Sequence, residues 1–231
     1  MKLLAFESSA KAASVAILEQ ERLLGEVYQN SGQTHSRTLL KMAEDLLCNC
    51  GLEVADLDAV AVAAGPGSFT GVRIGMAAAK GLCWGAELPL YGVSTLESMA
   101  RFYGQTESAV FAAMDARRSQ VYNALFERKS GALCRISPDR AISLSELLDE
   151  ARTFQKPFFF IGDGAELSYK YFSENGLFAR IADENIRLQT AWGVAVESLT
   201  GNFCDPGDIK PNYLRLSQAE RERLEKLKKE K

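Results

Sequence analysis

Apolar and polar stretches alternate along the first part of the chain in a way that predicts a strand meander followed by a helix. Residues 2–6, 14–18 and 23–28 are short apolar runs separated by polar turns, which is the spacing of three neighbouring strands. Between residues 36 and 50 the apolar positions recur every three or four residues, as on one face of a helix. We expect Ser36 to cap this helix and Gly51 to end it.

A glycine-rich turn follows the apolar run 59–64 and connects a strand to a second helix. Gly65 and Gly67 supply the backbone freedom that the turn needs, and Ser68 or Thr70 can cap a helix that runs to about residue 85. Bare N–H groups in such a turn suggest a phosphate site. The turn completes neither the Walker A pattern nor the dinucleotide fingerprint, however, so the pattern argues against a phosphate.

The second helix carries small residues four positions apart. Gly71, Gly75 and Ala79 lie on one face with Ala78 beside them, although a glycine within a helix costs about 1 kcal/mol relative to alanine. A face of small residues allows another backbone to approach closely. Two interpretations follow: the face packs on the protein's own sheet, or it binds a second protein.

The later part of the chain repeats the beginning. A strand and a helix predicted within residues 90–103 complete the first half, and an apolar strand at 109–115 opens the second. This strand stops on Asp115, as the first strand stops at Glu7, and a returning strand follows at 120–126. Two halves of similar pattern are therefore predicted.

Further elements are predicted towards the end of the chain. An apolar strand at 157–161 enters the turn Gly162-Asp163-Gly164, and a helix follows at 165–175. Another helix is predicted at 190–200. Residues 218–231 are almost wholly charged, which predicts a solvated helix or a frayed tail.

Composition and charge exclude several classes of protein. A net charge of −3 argues against a self-sufficient nucleic-acid-binding protein. No apolar run approaches the roughly 20 residues of a membrane span, and Glu7 interrupts the first run too early for a signal peptide, so we expect a cytoplasmic protein without membrane contact. The five cysteines form no C-x-x-C pair and histidine occurs once, which argues against a zinc site.

Several stretches of the chain together resemble one bacterial family. They are Ala5-Phe6-Glu7-Ser8-Ser9, His35-Ser36, Gly65-Pro66-Gly67-Ser68-Phe69-Thr70-Gly71-Val72-Arg73-Ile74-Gly75, Met114-Asp115-Ala116-Arg117-Arg118 with Val121-Tyr122, and Pro211-Asn212-Tyr213-Leu214-Arg215. In this order they resemble the TsaB (YeaZ) family, a partner in making threonylcarbamoyladenosine (t6A) on tRNA. The resemblance covers nearly the whole chain, and its central run is the most specific part.

The resemblance implies an α/β, actin-like or sugar-kinase-like (ASKHA) fold with two βββαβα-type halves. The halves would be an N-terminal subdomain at 1–104, which carries the partner-binding helices, and a C-terminal subdomain at 105–217, followed by a charged tail at 218–231. The implied role is a non-catalytic scaffold required for threonylcarbamoyl transfer to tRNA, which binds and activates the catalytic paralog TsaD together with the ATPase TsaE. Without its partner the chain is expected to form a homodimer, and tRNA is expected to bind only through the complex.

The single histidine agrees with a non-catalytic role. Catalytic paralogs hold a metal largely through a His-x-x-x-His pair on a helix, which His35 alone cannot rebuild, so no catalytic or metal-binding residue is predicted. The resemblance implies that helices 36–50 and 70–85 pack against the equivalent helices of TsaD. We expect leucine in place of Gly75 to weaken that binding while the chain stays folded. The predicted partner-binding residues are His35, Leu39, Met42, Gly71, Arg73, Gly75, Ala78 and Ala79.

The alternative is a self-sufficient ATP-binding enzyme of the actin-like superfamily, a kinase or an ATPase. Carboxylates could hold Mg²⁺ beside the phosphates of a nucleotide. Where actin-type ATPases have an aspartate and a glycine-lined turn, however, this chain has Glu7 and then no glycine as far as Ala10. We therefore predict no cofactor and leave open a weak or shared nucleotide at a partner interface. The candidate vestigial nucleotide loops contain Glu7, Ser8, Ser9, Asp115, Arg117, Gly162, Asp163 and Gly164.

Overall fold

A mixed five-stranded sheet forms the core of the first half. The computed structural model describes residues 1–102, 108–154 and 156–215. The strands of this sheet are β1 (Lys2–Glu7), β2 (Ala13–Glu19), β3 (Arg22–Gln29), β4 (Ala59–Gly65) and β5 (Leu90–Ser94). They lie in the order β3-β2-β1-β4-β5. Strand β2 is antiparallel to both β1 and β3, whereas β4 and β5 are parallel to β1. Nearly every residue of β1, β2 and β4 is buried, because helices cover both faces.

A second mixed sheet forms the core of the other half. Its strands are β6 (Ala109–Asp115), β7 (Gln120–Lys129), β8 (Ala132–Arg135), β9 (Arg140–Ser143), β10 (Phe158–Ile161) and β11 (Arg180–Ile181). They lie in the order β11-β10-β6-β7-β8, and β9 also pairs with β7. In both sheets the opening strand lies between an antiparallel returning strand and a parallel crossover strand. This repeat confirms the predicted α/β, actin-like fold of two similar halves.

The described residues contain seven α-helices. They are α1 (His35–Asn49), α2 (Phe69–Ala86), α3 (Thr95–Ala100), α4 (Leu144–Ala151), α5 (Ala165–Glu174), α6 (Glu184–Arg187) and α7 (Ala191–Ser198). The cap of α1 is Thr34 rather than the predicted Ser36, and Cys50 and Gly51 follow its last turn. The cap of α2 is Ser68, one of the two predicted candidates, whose hydroxyl accepts a hydrogen bond from the Gly71 N–H.

Five of these strands and α-helices have no counterpart in the sequence-based prediction: β8, β9, α4, β11 and α6. The two shortest, β11 and α6, contain two and four residues. Helix α4, in contrast, has a capping box in which Ser143 and Glu146 exchange hydrogen bonds between side chain and backbone. That Ser-x-x-Glu spacing is visible in the sequence and indicates a helix start.

Two helices are exchanged between the halves. Helix α7, which comes near the end of the chain, packs on the first sheet, where Ala191, Val194 and Ala195 share a buried cluster with residues of β1, β2 and β4. Helix α3 packs on the second sheet through Leu96 and Met99, and it also contacts β4, β5 and α7 in the first half. The predicted assignment of all residues from 105 to 217 to one C-terminal subdomain is therefore wrong for α7, because this helix completes the core of the first half.

The segment after α7 also returns to the first half. Cys204 pairs with Leu90 of β5, and the Asn212 N–H donates to the carbonyl of Ala64 at 2.7 Å. The predicted boundary between residues 104 and 105 and the predicted tail at 218–231 lie outside the described residues. Among the described helices, none is both long and apolar enough to cross a membrane.

Candidate functional site

The loop between β1 and β2 is held by hydrogen bonds within the chain. The Ser9 N–H donates to Glu7 Oε1 at 2.6 Å, and the Ser68 N–H donates to the Ser9 carbonyl at 2.7 Å. The Ser8 hydroxyl donates to the carbonyl of Gly71 at 2.9 Å. Glu7, Ser8 and Ser9 are all buried. The loop that would meet a phosphate in an actin-type ATPase therefore packs against the glycine turn of the same chain.

The small-residue face of α2 makes this close packing possible. A Cβ atom at Gly71 would lie 2.1 Å from the carbonyl oxygen of Ser8, and one at Gly75 would lie 2.4 Å from its hydroxyl. Gly67 approaches Ser9 in the same way. The second interpretation of this face, a surface for another protein, is thus wrong for Gly71, Gly75 and the fully buried Ala79. A leucine at Gly75 would displace α2 from Ser8 and from Val62 of β4, so we now expect this substitution to destabilise the chain itself.

The other predicted partner-binding residues divide into buried and accessible positions. Leu39 and Met42 face the core, and a partner cannot reach them without a rearrangement of α1. Ala78 is half-buried and Arg73 is exposed. His35 is half-buried, and its Nε2 lies 2.8 Å from the carbonyl oxygen of Ala10, which places the imidazole against the β1–β2 loop. Arg73, Ala78 and one side of His35 are the accessible members of the predicted set.

An apolar surface lies along α1 and α2, and of its residues the predicted set contained only Ala78. Leu40 and Trp84 are 56% and 60% exposed, respectively. Ile74, Ala78 and Leu82 follow one another four residues apart on α2 and are only partly buried. We call Leu40, Ile74, Ala78 and Leu82 the α1–α2 strip, whereas Trp84 lies on another side of α2, beside Lys80. Next to it, a groove of about 530 Å³ runs between α1 and the turn at residues 51–54, with Leu40 and Leu82 among its lining residues.

Arg73 connects α2 to the C-terminal segment. Its Nε donates to the hydroxyl of Tyr213 at 2.7 Å, and its guanidinium lies over the rings of Phe69 and Tyr213. Those two rings are stacked with centroids 4.5 Å apart. The sequence names Arg73 only as a candidate partner-binding residue and does not connect it to Tyr213, which is 140 positions away. In the structure they fix the C-terminal segment against the start of α2.

A polar cleft of about 480 Å³ lies between the two halves, and four of the eight residues in the candidate nucleotide loops line it. Ser9, Asp115, Arg117 and Asp163 line this cleft together with Lys11. The Asp115 N–H donates to Asp163 Oδ1 at 3.2 Å, and the Arg117 N–H donates to Asp115 Oδ1 at 2.6 Å. The sequence therefore identified one side-chain cluster from separate stretches of the chain.

The glycines of the third candidate loop serve the packing of β6. Gly162 has a φ of +95°, and a Cβ there would lie 2.1 Å from the carbonyl oxygen of Ala113. A Cβ at Gly164 would lie 2.8 Å from the carbonyl carbon of Met114. Both glycines therefore allow the turn to contact the end of β6 directly.

Burial controls the acid–base behaviour of two carboxyl groups near the cleft. Burial raises the pKa of Glu7 from 4.5 to about 7, against hydrogen bonds from Ser9 that lower it. Burial also raises the pKa of Asp163, and the nearby charge of Asp115 adds to this effect. Glu7 Oε2 and Ser9 Oγ are buried and have no hydrogen-bond partner in the described part of the chain. That part also contains no cluster of three His, Cys, Asp or Glu side chains arranged to hold a metal ion.

Comparison with known proteins gives consistent matches along the chain. The family model described as TsaD: tRNA N6-adenosine threonylcarbamoyltransferase matches residues 16–221. The tRNA threonylcarbamoyladenosine biosynthesis protein TsaB of Bacillus subtilis (strain 168) is 30% identical over 232 residues, which cover 99% of this chain and 100% of that protein.

Solved structures agree with this similarity. YeaZ from Pseudomonas aeruginosa superposes with a TM-score of 0.79 at 27% identity and covers 92% of this chain and 99% of its own. Ethanolamine utilization protein EutJ from Carboxydothermus hydrogenoformans shares the fold alone. It is 12% identical with a TM-score of 0.51, and the match covers 85% of this chain and 90% of its own. From the family-model match and the full-length similarity to a named member, we conclude that the chain belongs to the TsaB (YeaZ) family.

Proposed function

We propose that this protein is a non-catalytic scaffold subunit in the biosynthesis of t6A on tRNA. In this role it binds and activates a TsaD-type threonylcarbamoyltransferase, and a TsaE-type ATPase completes the assembly. The name of the Bacillus subtilis relative supports the pathway. The match of a TsaD family model to residues 16–221 supports a common fold for the two subunits, which would let equivalent helices of each pack together.

The observation that carries the proposal is the exposed α1–α2 strip. Leu40 leaves more than half of its surface in water although it lies on a helix that packs on the sheet, and it lines one groove with Leu82. Burying apolar surface at an interface contributes about 25 cal/mol per Å², and a cluster of exposed apolar residues commonly marks a protein contact. A TsaD-type partner is the proposed occupant. A second copy of this chain would bind the same strip when the partner is absent.

The hydrogen bonds of the β1–β2 loop support a non-catalytic role. The Ser9 N–H and Ser9 carbonyl and the Ser8 hydroxyl all bind groups of the same chain. Gly67 and Gly71 lie directly against these residues. A phosphate at this loop would have to displace these contacts.

Light scattering of the chain alone, and mixed with the TsaD of its own organism, tests the proposal. We expect a dimer alone, a heterocomplex in the mixture, and t6A formation only in the mixture. Leu40→Asp should weaken the heterocomplex by about ten- to a hundredfold, since it removes the burial of one large apolar side chain. Phe178→Asp is the matched control, because Phe178 is 93% exposed on the second half. Equal affinity of Leu40→Asp and the unmodified chain would refute this interface.

The cleft between the halves favours one second candidate, a self-sufficient ATP-binding enzyme. Its volume of about 480 Å³ suits a nucleotide, and Asp115 and Asp163 could face Mg²⁺ there. Calorimetric titration of Mg-ATP into the isolated chain distinguishes the candidates. Tight binding with ATP turnover, lost in Asp163→Asn, would support the enzyme and overturn the scaffold proposal.

A further inference from the structure

The groove between α1 and the turn at residues 51–54 combines accessible apolar side chains with acidic ones. Leu40, Leu52 and Leu82 line it and are all at least partly exposed. Its charged lining residues are Glu44 and Glu53, and neither lysine nor arginine occurs among the described residues of its lining. With a volume of about 530 Å³, the groove has room for several apolar side chains of a peptide segment.

The carboxylates around this groove outnumber the cations. Lys41 lies 3.0 Å from Glu44 and 2.8 Å from Asp45, so one lysine is shared by two carboxylates on α1. Glu53 and Asp56 add two more acidic side chains at the turn, where they bind each other's backbone N–H groups. The rim of the groove is therefore negative, and it suits a segment that brings both apolar side chains and positive charge.

The last residues of this chain have that composition. The segment 216–231, which lies outside the described residues, has six lysines or arginines and four glutamates, although the whole chain has a net charge of −3. Leu224 and Leu227 lie three positions apart, and four of the lysines fall between residues 226 and 231. The segment is thus opposite in charge to the rim of the groove, and it contains two large apolar side chains.

The described chain ends close enough for this segment to reach the groove. The hydroxyl of Tyr213 accepts a hydrogen bond from Arg73 on α2, and the description ends two residues later at Arg215. Helix α2 rises by about 14 Å between Arg73 and Leu82, which lines the groove. An extended chain covers about 30 Å in the nine residues from Arg215 to Leu224. The length of the segment is therefore sufficient.

We propose that residues 216–231 bind in this groove of the same chain, with the two leucines against its apolar lining and the lysines against its acidic rim. A tethered segment has an effective concentration in the millimolar range, so even weak contacts give substantial occupancy. Leu40 and Leu82 belong both to the groove and to the α1–α2 strip. The segment therefore competes with a TsaD-type partner, and only this consequence rests on the proposed function.

Alkylation of two exposed cysteines tests the occupancy without any partner. Cys48 lines the groove, whereas Cys134 lies on β8 in the second half and is the internal control. In the full chain carrying Leu224→Ser and Leu227→Ser, we expect iodoacetamide to modify Cys48 about tenfold faster than in the unmodified chain, because the apolar contacts are lost. The rate at Cys134, followed by peptide mass spectrometry, should not change.

Two results of this experiment would overturn the proposal. One is an equal Cys48 rate in the unmodified chain and in the double variant. The other is a Cys48 rate that falls as the concentration of the unmodified chain increases, because it would assign the groove to a second copy rather than to the tethered segment.

Salt tests the contribution of charge. Raising the ionic strength to about 0.5 M screens exposed charges, so it should accelerate the modification of Cys48 in the unmodified chain. The double variant is the control and should respond less, because its segment is already released. An equal response of both proteins would refute the contact between the lysines and the acidic rim.

Affinity for TsaD tests the competition separately. The double variant should bind TsaD about three- to tenfold more tightly, since the groove no longer has to be vacated first. Equal affinity would refute the competition. If neither protein bound TsaD, the scaffold proposal would fail, whereas faster modification of Cys48 would still support the occupied groove.

Discussion

The contact between α2 and the β1–β2 loop makes a sharp prediction about Gly71. In Gly71→Ala the new methyl group would lie 2.1 Å from the carbonyl oxygen of Ser8, which is backbone and cannot turn aside as a side chain can. The helix would have to move by roughly 1 Å, because carbon and oxygen atoms that are not bonded stay more than about 3 Å apart. That movement would also break the hydrogen bond from the Ser8 hydroxyl to the Gly71 carbonyl.

The free energy of unfolding should fall by about 1–3 kcal/mol in this variant. Overpacking of a core costs about 1–3 kcal/mol, and loss of the hydrogen bond adds about 1 kcal/mol. Replacing glycine by alanine within a helix returns about 1 kcal/mol. For a protein of this size the net loss corresponds to a decrease of about 3–9 °C in Tm.

Gly81→Ala is the matched control on the same helix. A Cβ at Gly81 meets no atom within 4 Å, so only the gain in helix propensity remains and Tm should rise by about 2–4 °C. Thermal and urea unfolding of both variants measure the difference. If Gly71→Ala were as stable as the unmodified chain, the contact between α2 and Ser8 would be refuted as the reason for the glycine.

Three other substitutions test features of the same region and of the helix exchange. Glu7→Gln should stabilise the protein at pH 8 but not at pH 4. The folded-state pKa of Glu7 is about 7 against an ordinary 4.5, so the free energy of unfolding falls as the pH rises between these two values. Urea unfolding measures the effect, and Glu21→Gln, at an exposed position, is the control that should show no such change. Ser68→Ala should lower the unfolding free energy by about 1 kcal/mol, because it removes the cap of α2. Thr70→Ala, which changes the other predicted cap, should leave the unfolding free energy nearly unchanged. A larger loss in Thr70→Ala than in Ser68→Ala would place the cap at Thr70. Gly193→Ala would bring a Cβ to 2.5 Å from the carbonyl of Ser98 and should cost about 1–3 kcal/mol in calorimetric unfolding by separating α3 from α7; an unchanged Tm would contradict that contact.

Periodicity predicted the strands and helices that are long and regular. It placed the strand from 109 to 115 at its observed bounds, and it brought Glu7 and Asp115 to equivalent positions in the two halves. It missed β8 and β9, which have four residues each and rely on pairing with β7 rather than on a pattern of their own. Elements of this length carry too few apolar positions to show a period.

The sequence could not identify the neighbour of a small-residue face. Gly71 and Gly75 indicate that some backbone comes close, but the spacing is the same whether that backbone belongs to this chain or to another. Leu40 shows the converse problem, because it fits the apolar period of α1 and yet lies in water. Only the direction of each side chain relative to the sheet separates a core position from an exposed one.

The exchange of α3 and α7 also has a consequence for synthesis on the ribosome. Chains emerge from the N-terminus, and domains generally fold as they appear. Here the strands of the first sheet are made early, but one of its faces stays bare until Ala191, Val194 and Ala195 arrive. Nascent chains should therefore complete this sheet only near the end of translation, and until then its apolar face stays exposed to water.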